Sequence, residues 1–304
     1  MKLNQIRDVL AVAELGSLRA ASRQLGISQP VITRSIQDIE RDLGVALFER
    51  HPKGVRLTDI GQSFIRRART VDAELRRARE EIEQLKGQTT GQVTAVLSIA
   101  SSIVLAPAIL PSFYKRYPNA LLYLSESPFP AVQNDLVDGK LDFFLGAFDQ
   151  PFNQPHLAVE KLFDNRRVVV ARKGHKLVDA ASIDALSTAR WARLTSRSAP
   201  GGGDDWHKAY GLPRPKVVMI TGSALLTVLA VAASDLLAIV PYQWLEFPAL
   251  AERLERVKVI PPMEAPPICL VRHREYPLTP MAEYFCDLVR RRTAHYLRRH
   301  PAFD

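Results

Sequence analysis

The fold of the N-terminal region is decided by one stretch, Gly16-Ser17-Leu18-Arg19-Ala20-Ala21-Ser22-Arg23-Gln24-Leu25-Gly26-Ile27-Ser28-Gln29-Pro30. Gly16 ends a helix predicted over residues 4–15, and the Ser17 hydroxyl caps the next helix, predicted over residues 18–25. After a break at Gly26, Ser28 caps a third helix, predicted over residues 29–42. Pro30 suits the first turn of this helix, because its missing N–H breaks no helical hydrogen bond there.

The third predicted helix has two different faces. At about 100° per residue, its apolar side chains share one narrow arc, which consists of Ile32, Ile36, Ile39 and Leu43. A second arc carries Gln29, Pro30, Thr33, Arg34 and Gln37. Amide, hydroxyl and guanidinium groups can read base edges in the major groove of DNA. Two helices joined by a tight turn, with the second divided in this way, predict a helix-turn-helix. Any small helical domain with a polar surface helix is the alternative.

Residues 45–57 predict a β-hairpin beside these helices. Two short extended runs flank the turn His51-Pro52-Lys53-Gly54. Lys53 is expected at the tip of this wing, with Arg50 and Arg56 at its base. Cations in such positions can reach the phosphates beside a DNA groove. Residues 1–58 therefore predict a winged helix-turn-helix domain.

A long helix is predicted over residues 59–86. Its apolar side chains follow one another at alternating steps of four and three, in the order Phe64, Ala68, Val71, Leu75, Ala78, Ile82 and Leu85. Such a seam on an otherwise charged helix is typical of two paired helices. We therefore predict residues 59–87 as a linker and dimerisation helix; the alternative is a core helix of a single domain. The segment 87–91 is predicted as a flexible joint.

From residue 92 the hydrophobic pattern changes to strands that alternate with helices. Strands are predicted at 92–100, 120–125, 141–147, 159–163, 167–172, 190–195, 215–220, 236–240 and 267–272, and helices at 103–116, 130–138, 182–187, 203–210, 223–233 and 278–299. This alternation predicts parallel sheets with helices on both faces. The effector domain, 92–304, is predicted to have two lobes: lobe I of residues 92–162 and 268–304, and lobe II of residues 163–267.

Composition places the chain among ordinary globular proteins. Hydrophobic residues make up 47% of its 304 residues, and no run of about 18 uncharged apolar residues predicts a membrane span. Arg7 and Asp8 lie where a signal peptide needs an apolar core, so we expect a cytoplasmic protein. Cys269 and Cys286 are too few for a disulfide framework or a zinc site, and are expected to be buried.

The net charge of +9 is concentrated at the two ends of the chain. Residues 1–90 carry 16 basic and 12 acidic side chains, and residues 272–304 carry 7 and 4. A positive charge of this kind is compatible with a polyanionic partner such as nucleic acid. The run Arg290-Arg291-Arg292 on the last predicted helix is interpreted as a solvated face rather than a second DNA site.

The sequence resembles the LysR-type transcriptional regulators. The resemblance is strongest over residues 3–61, in the stretch quoted above and in Leu47-Phe48-Glu49-Arg50 and Val55-Arg56-Leu57-Thr58. It is looser in the effector domain, through Leu237-Ala238-Ile239-Val240-Pro241. More narrowly, the chain is similar to the TsaR-like branch, regulators of aromatic-sulfonate catabolism, through Pro130-Ala131-Val132 and Tyr210-Gly211-Leu212-Pro213.

The resemblance implies a winged helix-turn-helix, a long linker helix and a two-lobed α/β effector domain like that of periplasmic binding proteins. It also implies a homodimer that assembles into a homotetramer on double-stranded promoter DNA, with RNA polymerase as a partner if the protein is an activator. A small-molecule effector is implied, without cofactor, metal or membrane partner. The predicted DNA-contacting residues are Arg19, Ser28, Gln29, Pro30, Thr33, Arg34, Gln37, Arg50, Lys53 and Arg56.

Hydroxyl groups cluster at three predicted strand ends, where ligands of two-lobed α/β proteins bind. These clusters, with two aromatic residues as an apolar wall, give the predicted effector site, Ser98, Ser101, Ser102, Phe129, Phe148, Ser196, Ser198, Thr221 and Ser223. With helix N-terminal N–H groups they suit an organic anion, an aromatic sulfonate or carboxylate. No lysine or arginine occurs within 98–102 or 221–223, so modest affinity is expected. The alternatives are ordinary helix capping by the hydroxyls and core packing by the aromatic rings.

Two other classes of protein fit the sequence less well. An α/β enzyme needs a nucleophile–base set or a cofactor loop, and the glycines at 201–203 lack the lysine and hydroxyl of a nucleotide loop. The seven histidines show no metal-ligand spacing. A solute-binding protein of transport would need a signal peptide and would leave residues 1–58 unexplained.

Overall fold

The computed structural model describes residues 1–52, 54–195, 206–209, 211 and 213–300. These residues form two compact units, one of residues 1–87 with 137–140 and the other of the remaining described chain. Three residues predicted to bind DNA or effector, together with the glycines at 201–203, lie outside the described residues: Lys53, Ser196 and Ser198.

The first unit is a winged helix-turn-helix followed by a long helix. Its elements are α1 Leu3–Leu15, α2 Leu18–Leu25, α3 Gln29–Leu43, β1 Phe48–His51, β2 Gly54–Leu57 and α4 Asp59–Leu85. Gly16 ends α1 with a φ of 63°, a left-handed conformation that glycine adopts readily. The Ser17 hydroxyl then caps α2 by accepting a hydrogen bond from the Ala20 N–H at 3.3 Å. The fold predicted for residues 1–58 is confirmed.

The wing is fixed to the helices by backbone contact. Strands β1 and β2 pair antiparallel, with Phe48 opposite Leu57. The Val55 N–H donates to the Gly16 carbonyl at 2.9 Å, and a Cβ on Gly54 would lie 2.2 Å from that same oxygen. Only glycine therefore allows the turn of the wing to approach the end of α1 so closely.

The core of this unit joins the three helices to the wing and to the start of α4. Its buried members are Val9, Ala11, Val12, Ala21, Ile32, Ile36, Ile39, Leu47 and Ile65. Leu43 was expected on the same arc of α3 as the buried isoleucines, but it is 42% exposed. It is the last residue of the helix and lies beyond the end of the packed face.

The second unit alternates strands and helices. Its strands are β3 Thr90–Leu97, β4 Asn119–Glu126, β5 Phe143–Ala147, β6 Leu157–Arg172, β7 Arg190–Leu194, β8 Lys216–Thr221, β9 Leu236–Pro241, β10 Leu254–Arg256 and β11 Met263–His273. Its helices are α5 Ile99–Val104, α6 Ala106–Arg116, α7 Phe129–Val137, α8 Trp206–Ala209, α9 Ala224–Ala232, α10 Pro248–Ala251 and α11 Pro280–Arg299, with 3₁₀ turns at Ile183–Leu186 and Tyr242–Glu246.

All nine of these strands belong to one mixed sheet, in the order β4-β3-β5-β11-β6-β9-β7-β8 with β10 beside β6. Strands β3, β4 and β5 are parallel, as are β7, β8 and β9. The predicted parallel sheets are confirmed within each lobe, whereas β6 and β11 run antiparallel to each other and to their neighbours. The sequence pattern does not reveal this pairing, because a strand that runs between the lobes is as apolar as the parallel strands inside one lobe.

The strands predicted separately at 159–163 and 167–172 are one continuous strand, β6. The polar residues Asp164, Asn165 and Arg166, which lay between the two predicted strands, belong to β6. They pass from one lobe to the other, where β6 and β11 shift register between Ala265 and Ile268.

Two lobes share this sheet, and each has its own hydrophobic core. We call the part with β3–β5, α5–α7 and α11 the first lobe; its core includes Phe113, Phe143 and Phe285. The second lobe contains β7–β10, α9 and the half of β6 after Asp164, with Val170 and Val231 in its core. Cys269 and Cys286 are free, buried thiols, and burial raises the pKa of both.

Candidate effector cavity and nucleic-acid interface

A cavity of about 330 Å³ lies between the two lobes of the second unit. Part of its wall is apolar and is formed by Ile99, Phe129, Leu194, Ile239 and Ile268, among others. The Phe129 ring packs on Phe148 at 4.6 Å between centroids. A cavity of this size suits a small organic ligand.

Strand β6 contributes a cation to the cavity wall. Asn165 and Arg167 both line the cavity, since alternate residues of a strand lie on the same face. Arg167 is half-buried, and its guanidinium forms no hydrogen bond or ion pair with any other described residue. Burial lowers the pKa of its guanidinium from the ordinary value, while the negative charge of Asp149 opposes that shift. A second guanidinium, that of Arg193 near the end of β7, lines the same cavity.

Three acceptor groups complete the polar part of the wall. Glu126 is the last residue of β4, and Asp149 follows β5 by two residues. Burial raises the pKa of the Glu126 carboxyl. Asn165 is 5% exposed; its Nδ2 donates to the Pro266 carbonyl at 3.3 Å, whereas its Oδ1 is buried without a hydrogen-bond partner among the described residues.

The first predicted hydroxyl cluster is divided by a helix. Strand β3 ends at Leu97 instead of residue 100, and α5 begins at Ile99. Ser98 lines the cavity, and its hydroxyl caps α5 by accepting a hydrogen bond from the Ser101 N–H at 3.4 Å. Ser101 is fully buried, and neither it nor Ser102 belongs to the cavity wall. The predicted strand end is therefore wrong by three residues, and of this cluster only Ser98 is at the cavity.

The hydroxyls at 221–223 serve mainly to begin α9. Thr221 Oγ1 accepts from the Ser223 N–H at 3.1 Å, and Ser223 Oγ accepts from the Leu226 N–H at 3.2 Å. Gly222, between them, lines the cavity, as does Phe129. Phe148 is 1% exposed and lies behind Phe129. Capping and core packing, the alternatives left open above, describe these contacts.

Sequence reasoning missed the charged groups of the cavity. Arg167 and Arg193 line the cavity, whereas an anion was expected to be neutralised mostly by hydroxyls and helix ends. The four residues 164–167 are all polar, so no alternation in the sequence marks Asn165 and Arg167 as members of one face.

The predicted DNA-contacting residues lie on the surface of the first unit. Thr33 is half-buried, and its Oγ1 donates to the Gln29 carbonyl at 3.0 Å. The other described members of the set are exposed: Arg19, Ser28, Gln29, Pro30, Arg34, Gln37, Arg50 and Arg56. None of these four arginines forms an ion pair with another described residue. Their charges are therefore available to phosphates or base edges.

The predicted seam of α4 has two different halves. Ala68 is buried, and Phe64 packs against the helix-turn-helix core. Farther along, apolar side chains are exposed in the single chain, with Val71 43%, Ile82 54% and Leu85 73% exposed. The alternative of a core helix therefore describes only the first part of α4.

Two further observations concern the described residues. No helix among them is both long and apolar enough to cross a membrane. Within the same ranges, no group of three or more histidine, cysteine, aspartate or glutamate side chains could hold a metal ion. The fold and the two sites define a class: helix-turn-helix proteins joined to a two-lobed, small-molecule-binding domain.

Comparison with family models gives the same division of the chain. Residues 3–62 match the bacterial regulatory helix-turn-helix protein of the lysR family, and residues 86–294 match the LysR substrate binding domain. The chain belongs to the LysR family.

Curated relatives are named as transcriptional regulators. TdcA of Escherichia coli is 27% identical over 180 residues, which cover 59% of this chain and 58% of TdcA. GbpR of Rhizobium radiobacter is 25% identical over 81% of this chain and 83% of its own length. TfdT of Cupriavidus pinatubonensis is 33% identical over 49% of this chain and 65% of its own length. The matches therefore span between about half and four fifths of these relatives' lengths.

Solved structures show the same fold over nearly the whole chain. The LysR family regulator CbnR has a TM-score of 0.67 at 22% identity, covering 96% of this chain and 99% of CbnR. Full-length CbnR in complex with its target DNA has a TM-score of 0.69 at 21% identity, covering 96% of this chain and 100% of that protein. At these identities the likeness concerns the fold alone.

Proposed function

We propose that this protein is a DNA-binding transcriptional regulator whose promoter binding or activation is controlled by a small organic anion bound between the two lobes. The favoured effector class is an aromatic sulfonate or carboxylate, as in the TsaR-like branch. The protein acts in the cytoplasm, on double-stranded promoter DNA. Membership of the LysR family and the exposed cations of the helix-turn-helix unit support the DNA-binding part.

One observation carries the effector part of the proposal: a half-buried arginine without a protein partner lines the cavity. Arg167 presents the N–H donors of its guanidinium to a space bounded by apolar side chains. A guanidinium in such a place binds a planar carboxylate or a sulfonate through paired, charge-assisted hydrogen bonds. Because this pairing is stronger than one made by hydroxyls alone, we expect tighter binding than the hydroxyl clusters predicted.

The apolar wall favours an aromatic effector. Phe129, Ile239 and Ile268 offer flat or branched apolar surface but few polar groups. A ring buried against them gains roughly 25 cal/mol for each Å² removed from water. A sugar would leave several hydroxyls unpaired against the same wall, which costs free energy.

The assembly belongs to the same proposal. The exposed apolar residues of α4, which lies within the linker segment 59–87, pair two subunits. The dimers then assemble into a homotetramer. An activator of this kind would also contact RNA polymerase. Ligand binding between the lobes of the domain 92–304 shifts their closure and, through α4, the spacing of the DNA-binding domains 1–58.

Calorimetric titration of the full-length protein tests the effector class. Benzoate, 4-methylbenzenesulfonate and glucose serve as probes. We expect the two anions to bind and Arg167→Met to weaken both at least tenfold, since one charge-assisted pair is lost. Arg190→Met is the matched control, because Arg190 is an exposed residue at the other end of β7. Binding of glucose alone, or equal losses in the two variants, would contradict the proposal.

A further inference from the structure

The charged side chains of the cavity are divided between the lobes. Glu126 and Asp149 lie at the ends of β4 and β5 in the first lobe. Arg167 and Arg193 lie on β6 and β7 in the second lobe. The cavity wall is therefore acidic on one lobe and basic on the other, and its four formal charges cancel.

The acceptor side chains of the cavity lack protein donors. Within the described ranges, the exposed side chains of Glu126 and Asp149 form neither a hydrogen bond nor an ion pair. Asn165 adds an acceptor that is buried: its side chain is 5% exposed, and its Oδ1 has no partner among those residues. A buried acceptor that gave up water without gaining a donor destabilises the folded protein. The Asn165 oxygen, together with the two carboxyl groups of the same wall, marks a position for a group that donates hydrogen bonds.

We propose that the effector is an amino-substituted organic acid, with its acid group at Arg167 and Arg193 and its amine at Glu126, Asp149 and Asn165. This inference rests on the proposed function, which supplies the acid group and its place at Arg167. It goes beyond that function in requiring a hydrogen-bond donor on the ligand in addition to the acid group.

Charge balance separates this ligand from a simple anion. A monoanion satisfies Arg167 but adds a negative charge to a cavity that already has two carboxyl groups. An ammonium group cancels that charge and brings three donors to Glu126, Asp149 and Asn165. Burial raises the pKa of Glu126, and a cation beside this carboxyl would favour its charged form.

Isosteric probes isolate the amine. The full-length protein is titrated calorimetrically at pH 7 with the 2-, 3- and 4-isomers of aminomethylbenzoate and with the corresponding ethylbenzoates. The two series have nearly the same shape, and the ethyl compounds are the more hydrophobic. We expect at least one aminomethyl isomer to bind ten times more tightly than its ethyl isostere, which is the reverse of the hydrophobic order.

Variants then assign the preference to the carboxyl groups. Glu126→Gln and Asp149→Asn are each expected to reduce about tenfold the preference for the aminomethylbenzoate over its ethylbenzoate isostere. The ethylbenzoate itself should bind more tightly to these variants, because the repulsion between its carboxylate and the removed carboxyl group is lost. Glu252→Gln, which changes an exposed carboxyl outside the cavity wall, is expected to leave the ratio unchanged.

The outcomes distinguish this inference from the proposed function. If both series bind, Arg167→Met weakens both, and no amine isomer is preferred, the inference is wrong and the proposed function stands. If Arg167→Met changes neither series, the acid group does not bind there and the proposed function is wrong. If no probe binds, the aromatic-acid class is wrong, and the inference fails with it.

Discussion

The helix-turn-helix surface and the effector cavity arrange their polar groups in opposite ways. Gln29, Arg34 and Gln37 lie on one helix at helical spacing and are exposed. The polar groups of the cavity come from separate strands, and Asn165 and Arg167 are at least half-buried. The first surface is formed by a single helix, whereas the second exists only after the sheet has assembled.

This difference has an energetic side. An exposed arginine keeps its water until DNA replaces it, so it costs the folded protein little. A half-buried guanidinium or an unpartnered acceptor has already lost water, so the apo protein is destabilised until a ligand supplies the missing partner. Ligand binding should therefore stabilise the effector domain strongly, while DNA binding depends on the arrangement of preformed surfaces.

The largest effect is expected where a second copy would cover α4. In Leu75→Asp, each subunit would place a carboxylate in the apolar seam without a partner. Desolvation of the two carboxylates should cost on the order of 5 kcal/mol per dimer. Sedimentation equilibrium should show smaller species, and operator binding should be lost. Arg69→Asp, an exposed position away from the seam, is the control; an unchanged oligomer in Leu75→Asp would exclude the seam as the dimer contact.

A core substitution should separate the two regions in unfolding. Ile32 is fully buried in the helix-turn-helix core, so Ile32→Ala should lower the stability of that unit by about 3 kcal/mol. The three tryptophans, Trp191, Trp206 and Trp244, all follow residue 87, so their fluorescence reports only on the effector domain. In urea unfolding, Ile32→Ala should therefore shift the transition seen by far-UV circular dichroism to lower urea concentration and leave the transition seen by tryptophan fluorescence unchanged.

The exposed neighbour Val31 provides the control for this experiment. Val31 is 50% exposed on the same helix, and Val31→Ala should change neither transition by more than about 0.5 kcal/mol. A joint shift of both signals in Ile32→Ala would show that the two units unfold together, and the helix-turn-helix unit and the effector domain would then not be independent in stability.

The same contrast explains what the sequence could predict. The helices of the first unit end at glycines and begin at hydroxyl caps, signals that lie within a few residues of what they determine. The α2 bounds at residues 18–25 were therefore predicted without error. Local packing also accounts for the buried isoleucines of α3.

The cavity could not be predicted in the same way. Its arginines come from β6 and β7, which are separated in the sheet by β9, and no local pattern states that they share a wall. The polar residues at 164–166 divided β6 into two predicted strands, because their side chains interrupt the apolar pattern by which the strands were recognised. The hydroxyls at 98–102 were overvalued because the strand end was placed three residues late.

A smaller effect is expected at the recognition helix. If Arg34 makes a bidentate contact with a base, Arg34→Ala should cost about 1–3 kcal/mol on a cognate duplex and much less on a scrambled one. Arg50→Ala, at the base of the wing, should weaken both duplexes equally and reduce the salt slope by about one. Gel-shift titrations at several salt concentrations measure both. Equal losses on the two duplexes for Arg34→Ala would identify a phosphate contact instead.

The smallest effect is a pH dependence of anion binding. The pKa of Glu126 is raised by burial, so this carboxyl becomes neutral at a higher pH than an ordinary glutamate, and its repulsion of an anion disappears as pH falls through that pKa. A sulfonate stays ionised throughout, so calorimetry with 4-methylbenzenesulfonate should show binding about two to three times tighter at pH 5 than at pH 7. Glu126→Gln should bind the sulfonate more tightly at pH 7 than the original protein does, and most of the pH dependence should vanish. Asp149 remains in both proteins. An equal pH dependence in Glu126→Gln would therefore assign the effect to other groups and would show that the charge of Glu126 does not repel the bound anion.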